Sequence, residues 1–310
     1  MPAPKNMFTS KYITSIFQSY LDDRDIRYFK NKILYYLIFR IIRNFLNQDI
    51  IIKIYNFKVF GSIKRYKYSN FLLKKCDFNE NHELSIIKKF SKKNNLLFLD
   101  CGCNYGFYSF YVASLNKKNL VIAIEASKKT SKDFLKNLKI NLLDNINFQN
   151  KIISNLDNQN IQFNESKNDW ESSYVHKDFN LEKTIIVESI KIDTLVKHYN
   201  LKSHTTIIKL DIEGNEMNAI EGGLEFIKMT SPLIIIEISK YIFNNDFNIE
   251  YFRNFLKDYD YSIYGTNKKK ITLDNALLKL NQLPDKFKTI GNYYLIKNLS
   301  TNFKKFISDE

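Results

Sequence analysis

Glycine is scarce in this chain, with 8 in 310 residues. Two of them, Gly102 and Gly106, fall four apart in one short stretch. A residue without a Cβ serves where the backbone must turn sharply or be approached closely, so that stretch is the first place to look for a site. Cysteine is scarcer still. Cys76, Cys101 and Cys103 form no metal-ligand pattern with the 4 histidines. Cys101 and Cys103 flank Gly102 too closely to pair, and an odd, sparse count suits a reducing compartment. There is no run of 18 apolar residues, so a membrane-spanning helix is not expected. The N-terminus lacks the basic, apolar and small-residue succession of a secretory signal. The expected location is the cytoplasm, or the inner face of a membrane as a peripheral protein. Arginine is short as well, with 6 against 41 lysines, although the net charge is +14. Arginine is the preferred residue for bidentate phosphate and guanine contacts, and the lysines are scattered. The charge therefore reads as solvated surface, and a nucleic-acid partner is disfavoured.

What is present is enough to build a core, with 44% hydrophobic and 15% aromatic residues. The chain is organised around residues 96–125. Leu96-Leu97-Phe98-Leu99 reads as a buried parallel strand. Asp100-Cys101-Gly102-Cys103-Asn104-Tyr105-Gly106 reads as a turn, Phe107 to Leu115 as a helix, and Leu120 to Ile124 as a second strand closing on Glu125. That is a βαβ unit of about the usual ~30 residues. Gly102 and Gly106 allow close approach of a ligand, and the helix start at Gly106 offers N–H groups. Glu125 is placed to accept hydrogen bonds from ribose hydroxyls. A dinucleotide fingerprint needs G-x-G-x-x-G, but this turn is D-x-G-x-x-x-G. Asp100 would repel a pyrophosphate and attract an ammonium group. S-adenosylmethionine is the cofactor that fits, against the bland alternative of an ordinary turn capped by Asn104.

Around this unit the pattern predicts an N-terminal helical extension and hairpin over 1–75, a main domain over 76–298 and a tail over 299–310. Phe8 to Asn47 reads as two helical pieces. The second, Lys32 to Leu46, is expected to pack on the domain or on a partner subunit; the rival reading is peripheral membrane contact through 32–46 with snorkelling arginines. Ile50 to Tyr68 reads as a hairpin turning at Asn56 or Gly61, and Glu83 to Phe90 as a helix with His82 at its start. A helix over Lys128 to Leu142 and a third strand over Ile146 to Ile153 follow. Ser154 and Asn155, at that strand's carboxyl end, are candidates to reach an adenine. Residues 156–180 read as a polar connection long enough to carry substrate contacts from Trp170, Glu171, Ser172, Ser173, Tyr174 or His176. Then come a strand over Thr184 to Ile192, a short helix capped by Asp193, a fourth parallel strand over Thr205 to Leu210, and a helix from Glu216 to Ile227. A fifth strand, Leu233 to Ile236, closes on Glu237. A helix over Ile249 to Tyr259, a strand over Tyr261 to Tyr264, a polar insertion over 265–289 and a last strand over Asn292 to Lys297 complete the chain. The alternation predicts a Rossmann-like, doubly wound α/β fold with a mostly parallel seven-stranded sheet.

A second motif closes the fourth strand: Lys209-Leu210-Asp211-Ile212-Glu213-Gly214-Asn215-Glu216. Alternation puts Lys209 and Asp211 on one side. At ~3.3 Å per residue, Asp211 and Glu213 are expected about 6–7 Å apart. Both fall across the switch point from the glycine turn. Methyl transfer to a hydroxyl needs in-line placement and removal of the hydroxyl proton, tasks suited to Asp211, Glu213 and Lys209. The plain alternative is a structural Lys209–Asp211 ion pair. A carboxylate pair also suits a divalent cation, but no third ligand is evident, and no metal is expected.

Residues 96–125, the 207–216 motif and Pro232 to Glu237 together resemble the FkbM family of methyltransferases, whose pattern is similar to D-x-G-A-N-x-G-x-x-S followed by I-K-x-D-x-E-G-x-E. Cys103 stands where the family usually has alanine. The resemblance spans about residues 80–240 and the final strand, leaving the first ~75 residues uncovered. It implies a Rossmann-like fold and S-adenosylmethionine-dependent methyl transfer, usually to oxygen on sugars, glycans or natural products. It also implies that Asp100, Gly102, Asn104, Gly106 and Glu125 bind cofactor, and that Asp211 to Glu213 border the reaction. The expected activity is O-methylation of a glycan or similar hydroxylated metabolite. The alternatives are RNA methylation, for which an Asn-Pro-Pro-Tyr-like motif is lacking, and a noncatalytic cofactor-binding scaffold.

Overall fold

The computed structural model describes residues 50–61, 81–166, 181–199, 201–284, 287–298, 300 and 303. The helices expected over Phe8 to Asn47, Cys76, and the Trp170 to His176 group lie outside them. In chain order the elements are β1 (Ile50–Ile54), β2 (Phe57–Gly61), α1 (Asn81–Lys93), β3 (Leu96–Cys101), α2 (Phe107–Leu115), β4 (Leu120–Ile124), α3 (Lys128–Asn141) and β5 (Ile146–Gln149). Then follow β6 (Ile152–Ile153), β7 (Asn160–Ser166), β8 (Leu181–Ile190), α4 (Ile192–Val196), β9 (Thr205–Leu210), α5 (Glu216–Glu221) and α6 (Leu224–Thr230). β10 (Leu233–Ser239), α7 (Asp246–Asp258), β11 (Tyr261–Tyr264), β12 (Lys270–Ile271), α8 (Leu273–Asn281) and β13 (Thr289–Lys297) complete the set.

The main sheet runs β12-β11-β13-β10-β9-β3-β4-β5. Strands β10, β9, β3, β4 and β5 are mutually parallel, and β13 runs against both its neighbours. The chain winds outward from β3 to β5, then returns to β9 and winds the other way. Every parallel strand therefore ends at one edge, with the switch point between β3 and β9. This is the doubly wound sheet expected, with the two-residue β12 added as an eighth strand. Alternation decides which face each residue serves. Leu96 and Phe98 join one core with Ile87, Phe90, Phe110 and Phe134, while Leu97 and Leu99 join the other with Ile220, Phe226 and Phe252. The hairpin, turning at Tyr55 and Asn56, buries Ile52, Ile54 and Phe57 in the first core.

Several boundaries differ from those read in the sequence. The strand expected over Ile146 to Ile153 breaks at Asn150, whose side-chain amide donates to the carbonyls of Glu125 (2.7 Å) and Ala126 (3.1 Å) and to Ser131 Oγ (3.0 Å). Its second half, β6, instead pairs with β8 in a three-stranded sheet, β6-β8-β7. The connection expected from 156 onward contains β7. The helix expected over Glu216 to Ile227 is two helices broken at Gly222-Gly223, and a Cβ on Gly222 would lie 2.1 Å from the Ser154 carbonyl oxygen. Asp193 does not cap its own helix. Asp157 braces the same end, accepting from Lys191 N and Thr194 Oγ1. The Asp193 carboxylate instead accepts from the Phe226 amide at 2.8 Å, at the start of α6. The polar insertion over 265–289 holds β12 and α8, whose Ala276 and Leu280 are buried. Among the described residues no helix is long and apolar enough to cross a membrane.

Phe134 is fully buried, with ring centroids 5.0 Å from Phe110 and 4.3 Å from Phe148. Phe134→Ala is expected to cost about 3–5 kcal/mol in urea unfolding; a loss below about 1 kcal/mol would contradict this packing.

Candidate active site

The first motif is a backbone knot at the end of β3. Gly102 N and Cys103 N both donate to the Ile124 carbonyl, at 3.0 and 2.9 Å, and Gly106 N donates to the Cys103 carbonyl at 2.8 Å. Asn104, in left-handed backbone at φ 50, donates its N–H to Glu125 Oε2 at 2.9 Å. The turn's amides at 102, 103, 104 and 106 are thus satisfied within the protein. In particular, the Gly106 N–H expected to meet a ligand is used internally. Glu125 Oε1 accepts from Ser127 N at 2.7 Å, so both carboxylate oxygens are held at the end of β4. Burial pushes the Glu125 carboxyl up to about 7 against the opposing amide bonds. Asp100 is buried beneath the turn and accepts the Ser109 hydroxyl at 2.6 Å. Burial, aided by Asp211, raises it to about 6 against Lys209 and Ser109.

The second motif packs directly on the first. Gly102 takes φ +82, and a Cβ there would sit 1.9 Å from the Asp211 carbonyl oxygen. The close approach expected of a ligand at Gly102 is therefore made by the Asp211 backbone. Asp211 N in turn donates to the Cys101 carbonyl at 3.1 Å. Asp100 and Lys209 are register partners on β3 and β9. Lys209 is 3% exposed; its Nζ lies 2.5 Å from Asp211 Oδ2 and 4.8 Å from the Tyr108 ring centre. Asp211 keeps 35% of its side chain exposed, so the pair has a buried base and an open tip. Beyond it the strand ends. Glu213 takes left-handed backbone at φ 54, and Glu216 accepts from Ile212 N (3.0 Å) and Gly214 N (2.9 Å).

A comparison with family models matches the Methyltransferase FkbM domain over residues 100–263, from the tip of β3 into β11. The chain belongs to the FkbM methyltransferase family. A comparison with curated proteins finds no match. Among solved structures the FkbM domain is similar to an FkbM methyltransferase from Methylobacillus flagellatus KT, at 17% identity and TM-score 0.40, over 74% of this chain and 54% of that one. It thus spans about half the length of that relative. It is also similar to a putative rRNA methylase from Clostridium thermocellum (13% identity, TM-score 0.40, 70% of this chain and 94% of that one). A putative methyltransferase from Streptococcus mutans, in complex with SAH, matches at 11% identity and TM-score 0.38, over 69% of this chain and 94% of that one.

Within the FkbM domain, Asp100, Gly102, Asn104, Gly106, Glu125, Lys209, Asp211 and Glu213 come together at one sheet edge. Ser154 and Asn155 follow β6, where Ser154 N donates to the Ile190 carbonyl at 3.0 Å. Because β5 ends at Gln149, Asn150 holds the place beside Glu125. Ser154 packs on Gly222, and Asn155 bonds Glu221 at 2.9 Å. Glu237 is the residue that sequence reading named only as a strand end. Register places it one step past the Ile236–Leu210 pair, beside Asp211. Burial, Asp211 and Glu216 push its carboxyl up to about 8, with Lys209 and Thr289 opposing. Its only sequence signal was an acid closing an apolar run next to the strand that carries Asp211.

Gly102→Ala is expected to abolish soluble folded protein, whereas Gly291→Ala, at φ +91 with nothing within 4 Å, should cost only the left-handed backbone penalty of about 1–2 kcal/mol. Equal stability of the two variants in urea would contradict the inter-loop contact. A second expectation concerns pH. Unfolded carboxyls ionise near pH ~4, whereas Asp100, Glu125, Glu216 and Glu237 in the fold titrate between about 6 and about 8. Between those limits the folded state keeps protons that the unfolded chain has released, so stability falls as pH rises. The urea midpoint should drop from about pH 5 to about pH 9, and drop less in Glu237→Gln. A rising midpoint, or an unchanged slope in that variant, would contradict it.

Proposed function

We propose that this FkbM domain binds S-adenosylmethionine at the Gly102 turn and transfers its methyl group to a hydroxyl of a glycan or similar metabolite. The observation that carries this reading is the charge and donor set of the sheet edge. The turn's amides at 102, 103, 104 and 106 are already bonded, so a pyrophosphate would find few donors there. Three carboxyls, Asp100, Asp211 and Glu237, surround one buried lysine, which favours a cationic ligand. Glu125 retains lone pairs for ribose hydroxyls beyond the two amides it accepts. These residues fit the cofactor, which when bound supplies an electrophilic methyl group on a sulfonium.

The remaining chemistry belongs to the chain. Lys209 holds the Asp211 carboxylate in one orientation while its exposed edge faces solvent. That edge can orient an acceptor hydroxyl and take its proton as the oxygen acquires the methyl. Glu237, on the same side of the sheet and with its raised affinity for protons, can hold a proton beside that edge and hydrogen-bond to it. Glu213, held at positive φ, lies two residues beyond Asp211 in the same turn. Scarce arginine and scattered lysines argue against RNA as the acceptor.

Glu125→Ala is expected to weaken S-adenosylhomocysteine binding by about 1–3 kcal/mol in calorimetry, through lost ribose hydrogen bonds. Asp211→Asn should keep that affinity and lose roughly 10²-fold or more in transfer of labelled methyl to a glycan extract. Unchanged affinity in the first variant would remove the ribose role. Labelling of tRNA or rRNA in place of glycan would overturn the acceptor.

A further inference from the structure

Among the contacts between the small sheet β6-β8-β7 and the cofactor edge is a buried carboxylate. Glu165, near the end of β7, is 1% exposed and carries a carboxylate. Its Oε1 accepts the Ser127 hydroxyl at 2.8 Å and the Lys129 amide at 3.0 Å, and its Oε2 faces Lys183 Nζ at 3.3 Å. A buried charge is costly unless it is paired and hydrogen-bonded. Here the partners prevail. Burial would raise the carboxyl, but the bonds from Lys129, Ser127 and Lys183 hold it below its ordinary range.

Ser127 joins two structures. Its Oγ caps α3 by accepting from Thr130 N at 3.2 Å, and its N–H donates to Glu125 Oε1 at 2.7 Å. A hydroxyl has one proton, and this one goes to Glu165, which turns the oxygen's lone pairs toward Thr130. The carboxylate of β7 thereby fixes the rotamer and position of Ser127, and the amide of Ser127 fixes one oxygen of Glu125. The opposite side of the same turn is clamped by the Asn150 amide.

We propose that Glu165 is a positioning residue for the cofactor site: through Ser127 it holds Glu125 in place for the ribose, making the three-stranded sheet part of nucleoside recognition. This inference rests on the reading of Glu125 given under Proposed function. A carboxylate serving α3 alone would support stability but would not distinguish ligands by their ribose hydroxyls.

The test uses the purified full chain and two ligands in calorimetry, S-adenosylhomocysteine and its 2′,3′-dideoxy analogue. Glu165→Leu is expected to weaken the first by about tenfold, and to change the second by less than about twofold. Ser127→Ala, which keeps the amide but removes the hydroxyl, should show the same pattern and serves if the leucine variant does not fold. Glu165→Gln, which keeps a neutral acceptor for Ser127, should restore most of the affinity. Equal losses for both ligands, or none for either, would overturn the positioning role. A wild-type chain that binds neither ligand would instead overturn the cofactor reading on which it rests.

Discussion

Two loops at the switch point of the sheet occupy each other's space. The Asp211 carbonyl fills the volume that any side chain at position 102 would need, and the Asp211 amide returns a bond to Cys101. Neither loop can take its shape without the other. The contact also fixes charge. Asp100, Lys209, Asp211 and Glu237 are brought to one face of adjacent strands by register alone. Lys209 lies among the carboxyls, and its loss would leave partly desolvated acids facing one another. Structure and electrostatics at this edge are a single arrangement.

That arrangement has a chemical character. In a dinucleotide site, glycine amides point outward to a pyrophosphate. Here the amides of Gly102, Cys103, Asn104 and Gly106 point inward, to Ile124, Glu125 and Cys103. What the edge presents is a carboxylate at the end of β4, with Asp211 just past β9 and Glu237 beside it on β10. Burial raises the Glu125 carboxyl to about 7 and the Glu237 carboxyl to about 8, close to neutral pH. The three-stranded sheet adds a buried carboxylate on the far side of Glu125, so two layers of the fold converge on one side chain.

Much of this was legible in the sequence because the parallel strands are buried on both faces. Leu96 to Leu99, Leu120 to Ile124, Thr205 to Leu210 and Leu233 to Ile236 read as short apolar runs, each closing on a polar turn or an acid. The helix from Phe107 to Leu115 was bounded on both sides by such signals. The errors fall where non-local contacts decide. Nothing near Asn150 marks a strand break; its side chain leaves the sheet to bond the turn after β4. Gly222-Gly223 fall within the span read as one helix, but Ser154, far along the chain, packs against Gly222. α8 lay in a segment that reads as polar because only its Leu273, Ala276 and Leu280 are buried. Gly102 drew attention for the right conformational reason, but its close neighbour is Asp211. Glu237 gained its character from Asp211, Glu216 and Lys209, none of which is adjacent in sequence.

The most direct test is a crystal structure of the full chain grown with S-adenosylhomocysteine. The expected result has the ribose hydroxyls on Glu125, the amino-acid end over the Gly102 turn, and the sulfur facing the opening beside Asp211. Ligand density elsewhere on the chain, or a sheet edge closed by its own side chains at saturating ligand, would contradict the account.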